Sequence, residues 1–346
     1  MTMTEPPATT GPGGDGGSDQ TGVVATVLES AGGVWRVLDD RGMVREVTLR
    51  GRLIIHEERR AEFRKLEDDG RLEESDELAR PRRLVVGDRV RIEEEERGHS
   101  WTIAEILPRR SRIARRQPGG RWGERVMVAN VDQLVVVFAA ASPEPNERMI
   151  DRFLVIAEAN SVPARLVLNK VDLVYETALR ERFQAYERIG YPVHFTSVES
   201  GLGLNELRRA LAGRTSALAG PSGAGKSSLI NALFGVGLRV GDVSSAVNKG
   251  RHTTVGALLT PIPDGGFVVD TPGLREVGLW GLPARELQYE FPEFRAHLGN
   301  CRFADCTHLV EPGCAVREAV DQGSIAAGRM ESYGLLHAEL EGESRR

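Results

Sequence analysis

The sequence predicts a multidomain chain: an N-terminal OB-like β-barrel, a central α/β domain, and a mostly helical C-terminal domain. Three observations lead there. Short alternating apolar runs occupy the first hundred or so residues, and near-continuous apolar runs interleaved with helical spacing occupy the middle. After Gly273 the strand signal fades around a cluster of three cysteines. The chain has 346 residues, room for two or three domains at roughly 100–200 residues each.

Residues 1–20, MTMTEPPATTGPGGDGGSDQ, offer almost nothing to bury and are expected to be a disordered tail. From 21 to 110 the runs GVVATVLE, GGVWRVLDD, MVREVTLR, LVVGDRVRIEE and WTIAEILP read as five strands of a small barrel. A charged insertion near residues 56–83 divides the third from the fourth, with helical spacing in RRAEFRKLEDDG. Barrels of this kind often hold oligonucleotides, but fold alone does not give function, and a purely protein-docking barrel stays open.

The net charge of -5 excludes a globally basic nucleic-acid binder, yet Arg109 to Arg125 holds seven Arg against one Glu. Such a patch can neutralise phosphates whatever the total charge. The plain alternative is a solvated basic linker, placed at residues 111–125. From 126 to 280 the runs QLVVVFAA, ARLVLNK, PVHFTS, TSALAG and GFVVD read as strands covered on both faces. Helical stretches such as ERMIDRFLVIAEAN and LNELRRALAG lie between them.

The chemistry-bearing motifs sit at the ends of these runs. Gly220-Pro221-Ser222-Gly223-Ala224-Gly225-Lys226-Ser227, followed by Ser228, matches a phosphate loop in strand–loop–helix context. Its glycines let successive N–H groups face phosphate oxygens, and the helix N-terminus adds positive potential. Lys226 would reach the β- and γ-phosphates, and the Ser227 hydroxyl would ligate Mg²⁺. Asp270-Thr271-Pro272-Gly273 ends GFVVD; Asp270 would hold Mg²⁺ and the Gly273 N–H would sense the γ-phosphate. In NKGRHTTVGA, Thr253 or Thr254 fits a switch-loop ligand to Mg²⁺, and His252 is a candidate for positioning water.

Asn169-Lys170-Val171-Asp172 ends the run RLVL. A carboxylate at Asp172 can accept from guanine N1–H and the 2-amino group, which adenine cannot match. Asn169 could address the opposite base edge, the Lys170 stem could cover the ring, and Ser197 in FTSVESG would close over the base. Only four lysines occur, and two of them, Lys170 and Lys226, fall in these motifs. Ammonium and guanidinium are not interchangeable at such places. Leu274 stands where many such domains carry a water-orienting glutamine, so intrinsic hydrolysis is expected to be slow.

Cys301, Cys306, His308 and Cys314 give three thiolates and one imidazole, a closed tetrahedral set for one structural Zn²⁺ in a helical domain at 281–346. Three buried thiols without metal are the alternative. No apolar run is long enough to span a bilayer, and no basic-then-apolar leader is visible, so a cytoplasmic protein without membrane attachment is expected.

The base-reading tetrad precedes the phosphate loop, the reverse of the usual order. This order, with ANVDQLVVVFA, LNKVDL, GPSGAGKSSLIN, GRHTT, DTPGLRE and CRFADCTH…EPGC, resembles the RsgA (YjeQ/YloQ) family of circularly permuted GTPases over roughly residues 22–340. The resemblance implies a monomeric GTPase that binds GTP or GDP and the small ribosomal subunit through its rRNA. It implies a role in late subunit maturation and faster hydrolysis when bound. It also implies that the barrel and zinc domain touch the subunit, and that the histidine of GRHTT, His252, is catalytic. A pure RNA-binding scaffold with a structural nucleotide is the rival reading, and an ATP-dependent kinase or motor is disfavoured by the tetrad. The permutation runs the chain from Asp270 straight into the C-terminal domain, so nucleotide state is expected to bias that domain's pose.

Overall fold

The computed structural model describes residues 22–31, 33–49, 83–95, 100–116, 124–238, 257–270, 279 and 282–344. The N-terminal tail, the charged insertion with its helical reading, His252, Thr253, Thr254, Gly273 and Leu274 lie outside the described residues.

The five expected N-terminal strands form a closed barrel in the order β1-β2-β3-β5-β4. They are β1 (Val23–Ala31), β2 (Val34–Asp39), β3 (Val44–Leu49), β4 (Arg89–Glu94) and β5 (Trp101–Ile106). Alternation carries Ala25, Val27, Val37, Val47, Val90, Ile92 and Ile103 into its core. Closure comes from β1 pairing antiparallel to β4, and β3 runs parallel to β5. The β2–β3 turn is held by Asp39, whose carboxylate accepts from the backbone N–H groups of Arg41 (3.0 Å) and Met43 (2.8 Å) and from Arg45 Nε (2.8 Å).

The basic stretch expected as a linker carries strands of its own. β6 (Arg112–Arg116) pairs antiparallel with β7 (Glu124–Ala129), placing Ile113 opposite Val128. Both residues are buried, and the arginines around them mask this apolar pair in the sequence. The ribbon's end meets the barrel, where Ala129 N–H donates to Val86 O (2.9 Å) and Asn130 Nδ2 to Gly87 O (2.9 Å).

The central sheet has the order β10-β9-β8-β11-β13-β12. Its strands are β8 (Gln133–Ala139), β9 (Ala164–Asn169), β10 (Val193–Phe195), β11 (Arg214–Ala219), β12 (Leu258–Pro261) and β13 (Gly266–Asp270). All pairings are parallel except β12 with β13. The edge strand β12 is absent from the sequence reading, because four residues ending in Pro give too short a run; an antiparallel edge is where Pro is tolerated.

Among the described residues four helices cover the sheet: α1 (Glu147–Ala159), α2 (Glu176–Ile189), α3 (Leu204–Leu211) and α4 (Lys226–Phe234). Leu134, Val136 and Phe138 of β8 face one core with Ile150 and Leu154 of α1 and Leu179 and Phe183 of α2. Val135 and Val137 face the other core with Leu207 of α3 and Leu229 and Ile230 of α4. The helices therefore change faces where the chain passes from β10 to β11, a topological switch beside β8.

The C-terminal unit consists of 3-10 turns at Ala284–Glu290 and Pro292–Phe294, then α5 (Ala315–Asp321) and α6 (Ala327–Ser344). Phe291, Phe294, Tyr333 and Leu336 belong to the same core as Ile150 and Leu154 of α1. Arg329 of α6 crosses this junction fully buried. It donates to Asp151 Oδ1 of α1 (2.6 Å) and to both carboxylate oxygens of Glu293 (2.6 and 3.2 Å). Its guanidinium also lies 4.5 Å from the centre of the Phe291 ring.

Candidate functional site

Motifs far apart in the chain meet at one edge of the central sheet. The tetrad follows β9, Ser197 follows β10, the phosphate loop follows β11, and Asp270 ends β13. Because these strands are parallel, all four features lie at their carboxyl ends, where open α/β sheets hold ligands. Asp270 pairs with Leu218, two residues before the loop begins.

The loop needs glycine at specific points. Gly220 has φ +132°, and a Cβ there would stand 2.0 Å from Val137 O, so only glycine lets the chain leave β11 over the end of β8. Gly225 has φ +86°, and a Cβ there would stand 2.5 Å from Asn169 Nδ2. Lys226 is buried at the start of α4, and its ammonium donates to Gly220 O and Pro221 O, both 2.9 Å, which anchors it inside the turn. Gly223 also has positive φ, while Ala224 is buried against the second core; Ser227 and Ser228 are half-buried in the helix's first turn. Pro221 and Ser222 form the outer part of the loop.

The tetrad is tied to this loop. Asn169 is 2% exposed; its Nδ2 donates to Ala224 O (3.2 Å), and its Oδ1 accepts from Thr196 Oγ1 (3.2 Å). It thus joins three loops, a bracing role that the sequence did not suggest. Lys170 adopts the left-handed conformation (φ +63°) and donates to Ser142 O at 2.7 Å. Val171 is buried and starts the short 3-10 turn that presents Asp172 at the surface. Ser197, fully buried, donates to Asp172 Oδ1 at 2.5 Å and accepts from Ser200 N–H at 3.1 Å. Ser197 is therefore a brace for the carboxylate. Sequence reasoning did not single out Thr196 or Ser142; Thr196 stands in FTSVESG beside the chosen Ser197, Ser142 belongs to no motif, and only the fold brings them to the tetrad.

The second site lies in the C-terminal unit. The ligand atoms of Cys301, Cys306, His308 and Cys314 all lie within 4.8 Å of one another. His308 Nδ1 is 3.5 Å from Cys301 Sγ and 3.4 Å from Cys314 Sγ, so Nδ1 is the nitrogen turned to the sulfurs. The other ring nitrogen, Nε2, meets Gln288 Oε1 at 2.8 Å, which fixes the tautomer and leaves Nδ1 unprotonated. Burial lowers the His308 pKa, keeping the ring neutral. Burial, then the neighbouring Cys314 and Cys301 sulfurs, pushes the Cys306 thiol up to about 12. Three crowded sulfurs around a neutral imidazole form a donor set that a soft divalent cation satisfies and a proton does not, so the residues fit Zn²⁺. Glu311 shapes the loop between two of them. Burial works against its charge, but hydrogen bonds from Thr307 Oγ1 (2.6 Å) and the N–H groups of Thr307 (2.8 Å), Leu309 and Val310 (both 3.1 Å) win, setting its pKa near about 2.

A family model described as RsgA GTPase matches residues 106–280. A curated protein of Gemmatimonas aurantiaca, named small ribosomal subunit biogenesis GTPase RsgA, is 53% identical over 326 residues, covering 94% of this chain and 99% of its own. Its namesake in Azotobacter vinelandii is 44% identical over 261 residues, covering 74% of this chain and 75% of its own. Among solved structures, YjeQ from Thermotoga maritima superposes with TM-score 0.70 at 33% identity, covering 93% and 99% of the two chains. YloQ, described as a circularly permuted GTPase, superposes with TM-score 0.66 at 26% identity, covering 96% and 99%.

Proposed function

The chain belongs to the RsgA GTPase family, and from that premise we propose that it hydrolyses GTP while bound to the small ribosomal subunit, assisting its late maturation. The observation that carries this reading is the bond from Asn169 Nδ2 to Ala224 O, which puts a guanine-reading carboxylate and a phosphate loop on one rigid edge. GTP and GDP are held there. Asp172, oriented by Ser197, accepts from the guanine N1–H and 2-amino groups, and the Lys170 stem covers the ring. The N–H groups of Gly220 to Ser228, with Lys226, take the phosphates. Ser227 and Asp270 are the residues to hold Mg²⁺ with the nucleotide, joined by Thr253 or Thr254, and Gly273 to sense the γ-phosphate. Mg²⁺ neutralises charge on the phosphate oxygens when bound. His252 positions the attacking water in place of the glutamine replaced by Leu274.

Cys301, Cys306, His308 and Cys314 would hold one Zn²⁺, and with no open coordination position its role is structural. The subunit's rRNA is contacted by the barrel and the C-terminal unit. The protein acts as a monomer in the cytoplasm. Among the described residues, no helix is long and apolar enough to cross a membrane.

Phosphate release measured against a titration of purified small subunits tests the reading. Turnover should rise at least about ten-fold at saturation, since completing a transition-state contact is worth a few kcal/mol. Single-turnover release that the subunit leaves unchanged would favour a scaffold stabilised by nucleotide.

A further inference from the structure

A cavity of about 340 Å³ opens at the amino-terminal edge of the central sheet. Its walls include Gln133 at the start of β8, Arg165 near the start of β9, Arg214 at the start of β11, and Tyr191 before β10. Arg295 of the C-terminal unit and Glu158 of α1 complete it. β11 is six residues long, so Arg214 stands roughly 17 Å along the strand from the end that leads into the phosphate loop. The cavity is therefore separate from the nucleotide edge.

Its charges do not balance. The walls carry three guanidiniums, Arg165, Arg214 and Arg295, against the one carboxylate of Glu158, an excess of two positive charges. Glu158 is already engaged: Arg295 Nη2 donates to it at 2.7 Å and the Tyr191 hydroxyl at 3.0 Å. Arg165 and Arg214 have no carboxylate within ion-pair distance among the described residues. Arg165 is held in place by neutral acceptors, with Nε on Gln133 Oε1 (3.0 Å) and Nη1 on His194 Nε2 (2.6 Å). Gln133 is itself fixed, donating to Ser216 Oγ (2.9 Å) and Ala210 O (3.1 Å). The remaining Arg165 hydrogens have no protein acceptor among the described residues. Burial first and then the Arg214 charge lower its pKa, outweighing the opposing pull of Glu206, which lies beyond ion-pair distance on the far side of His194, so a net positive charge is felt at this guanidinium.

A braced, half-buried arginine beside a second unpaired one is costly unless an anion neutralises them. We propose that this cavity is an oxyanion site that takes a phosphate dianion between Arg165 and Arg214. The two excess charges match a dianion rather than a single carboxylate, and guanidinium forks suit tetrahedral oxygens. Free phosphate and a phosphate monoester share this chemistry.

The test is calorimetric titration of the full chain, saturated with GDP so that the nucleotide edge is filled, at constant ionic strength set with chloride. Inorganic phosphate and uridine 5′-monophosphate are the probes. Wild type should bind phosphate at one further site, and Arg214→Gln should weaken it about ten-fold or more, as expected for loss of a charged hydrogen-bonding partner. Arg214 is exposed and makes no ion pair among the described residues, so this variant should keep its fold, checked by thermal melting. Equal affinity for both probes identifies the phosphoryl group alone as the ligand; tighter binding of the monophosphate identifies an ester. No further site in wild type, or the same affinity in Arg214→Gln, overturns the proposal.

Discussion

At the scale of single residues, the nucleotide edge depends on side chains that hold one another. Asp172 is aimed by a buried serine, and Asn169 spends both ends of its amide on Thr196 and Ala224. On the proposed reading, Asp172→Asn puts a donor where the carboxylate would accept from the base. GTP affinity should fall roughly 100-fold, about 3 kcal/mol for a charged hydrogen-bond pair, while xanthosine triphosphate should gain. Competition binding of the two nucleotides checks this, and unchanged GTP affinity would show that Asp172 does not read the base. The motif residues themselves were legible in the sequence because their spacing is local. Their partners were not. Ser142 and Thr196 are ordinary loop residues until the parallel register places them beside Lys170 and Asn169.

At the scale of elements, short polar turns do much of the fixing. In the β2–β3 hairpin, burial alone would raise the Asp39 pKa, but hydrogen bonds from Met43, Arg45 and Arg41 outweigh it and hold the pKa below its ordinary value. A group depressed in the folded state stabilises fully above its unfolded pKa of 3.8, and that stabilisation is lost as pH falls through the lower folded value. Urea unfolding of wild type and Asp39→Asn should therefore differ by a constant amount above about pH 5, with the gap closing below 3.8. A gap independent of pH down to 2 would mean that the carboxylate's charge is not what the turn uses. Five barrel strands and the apolar sheet strands were readable because their periods are regular. The β6–β7 ribbon and β12 were not, since arginine richness and a terminal Pro hide what pairing across the chain decides.

At the scale of the whole molecule, the sheet and the C-terminal unit share one core, bolted by Arg329 between Asp151 and Glu293. Removing the arginine leaves two buried carboxylates uncompensated. Arg329→Met should cost about 3–5 kcal/mol in chemical denaturation; a loss under 1 kcal/mol would mean that the junction is not the buried bolt described. Nucleotide coupling energies are typically about 1–3 kcal/mol, too small to open such a junction. On that argument, any nucleotide-dependent pose expected from the chain order should leave this junction closed. Amide exchange in α6 should be the same with GDP and with a non-hydrolysable GTP analogue, and faster exchange in either state would show that the junction opens. The shared core also links the metal cluster to the sheet. Cys306→Ser should lower zinc content below one equivalent and lower the melting point of the whole chain in one transition, whereas two separated transitions would mean independent units.

The sequence by itself determined the strands of regular period, the glycine-rich loop after β11, the Asn169–Asp172 tetrad, the Cys/His cluster and their permuted order. Each is written in local spacing, which a linear reading can follow. Only the tertiary structure decided that Asn169 ties loops together, that the basic stretch pairs as a ribbon, that Arg329 bolts α6 to α1, and that Arg165 and Arg214 face one cavity. These are contacts between residues from about 10 to 180 positions apart, and their energy comes from burial and charge pairing that exist only once the sheet has set its strand order.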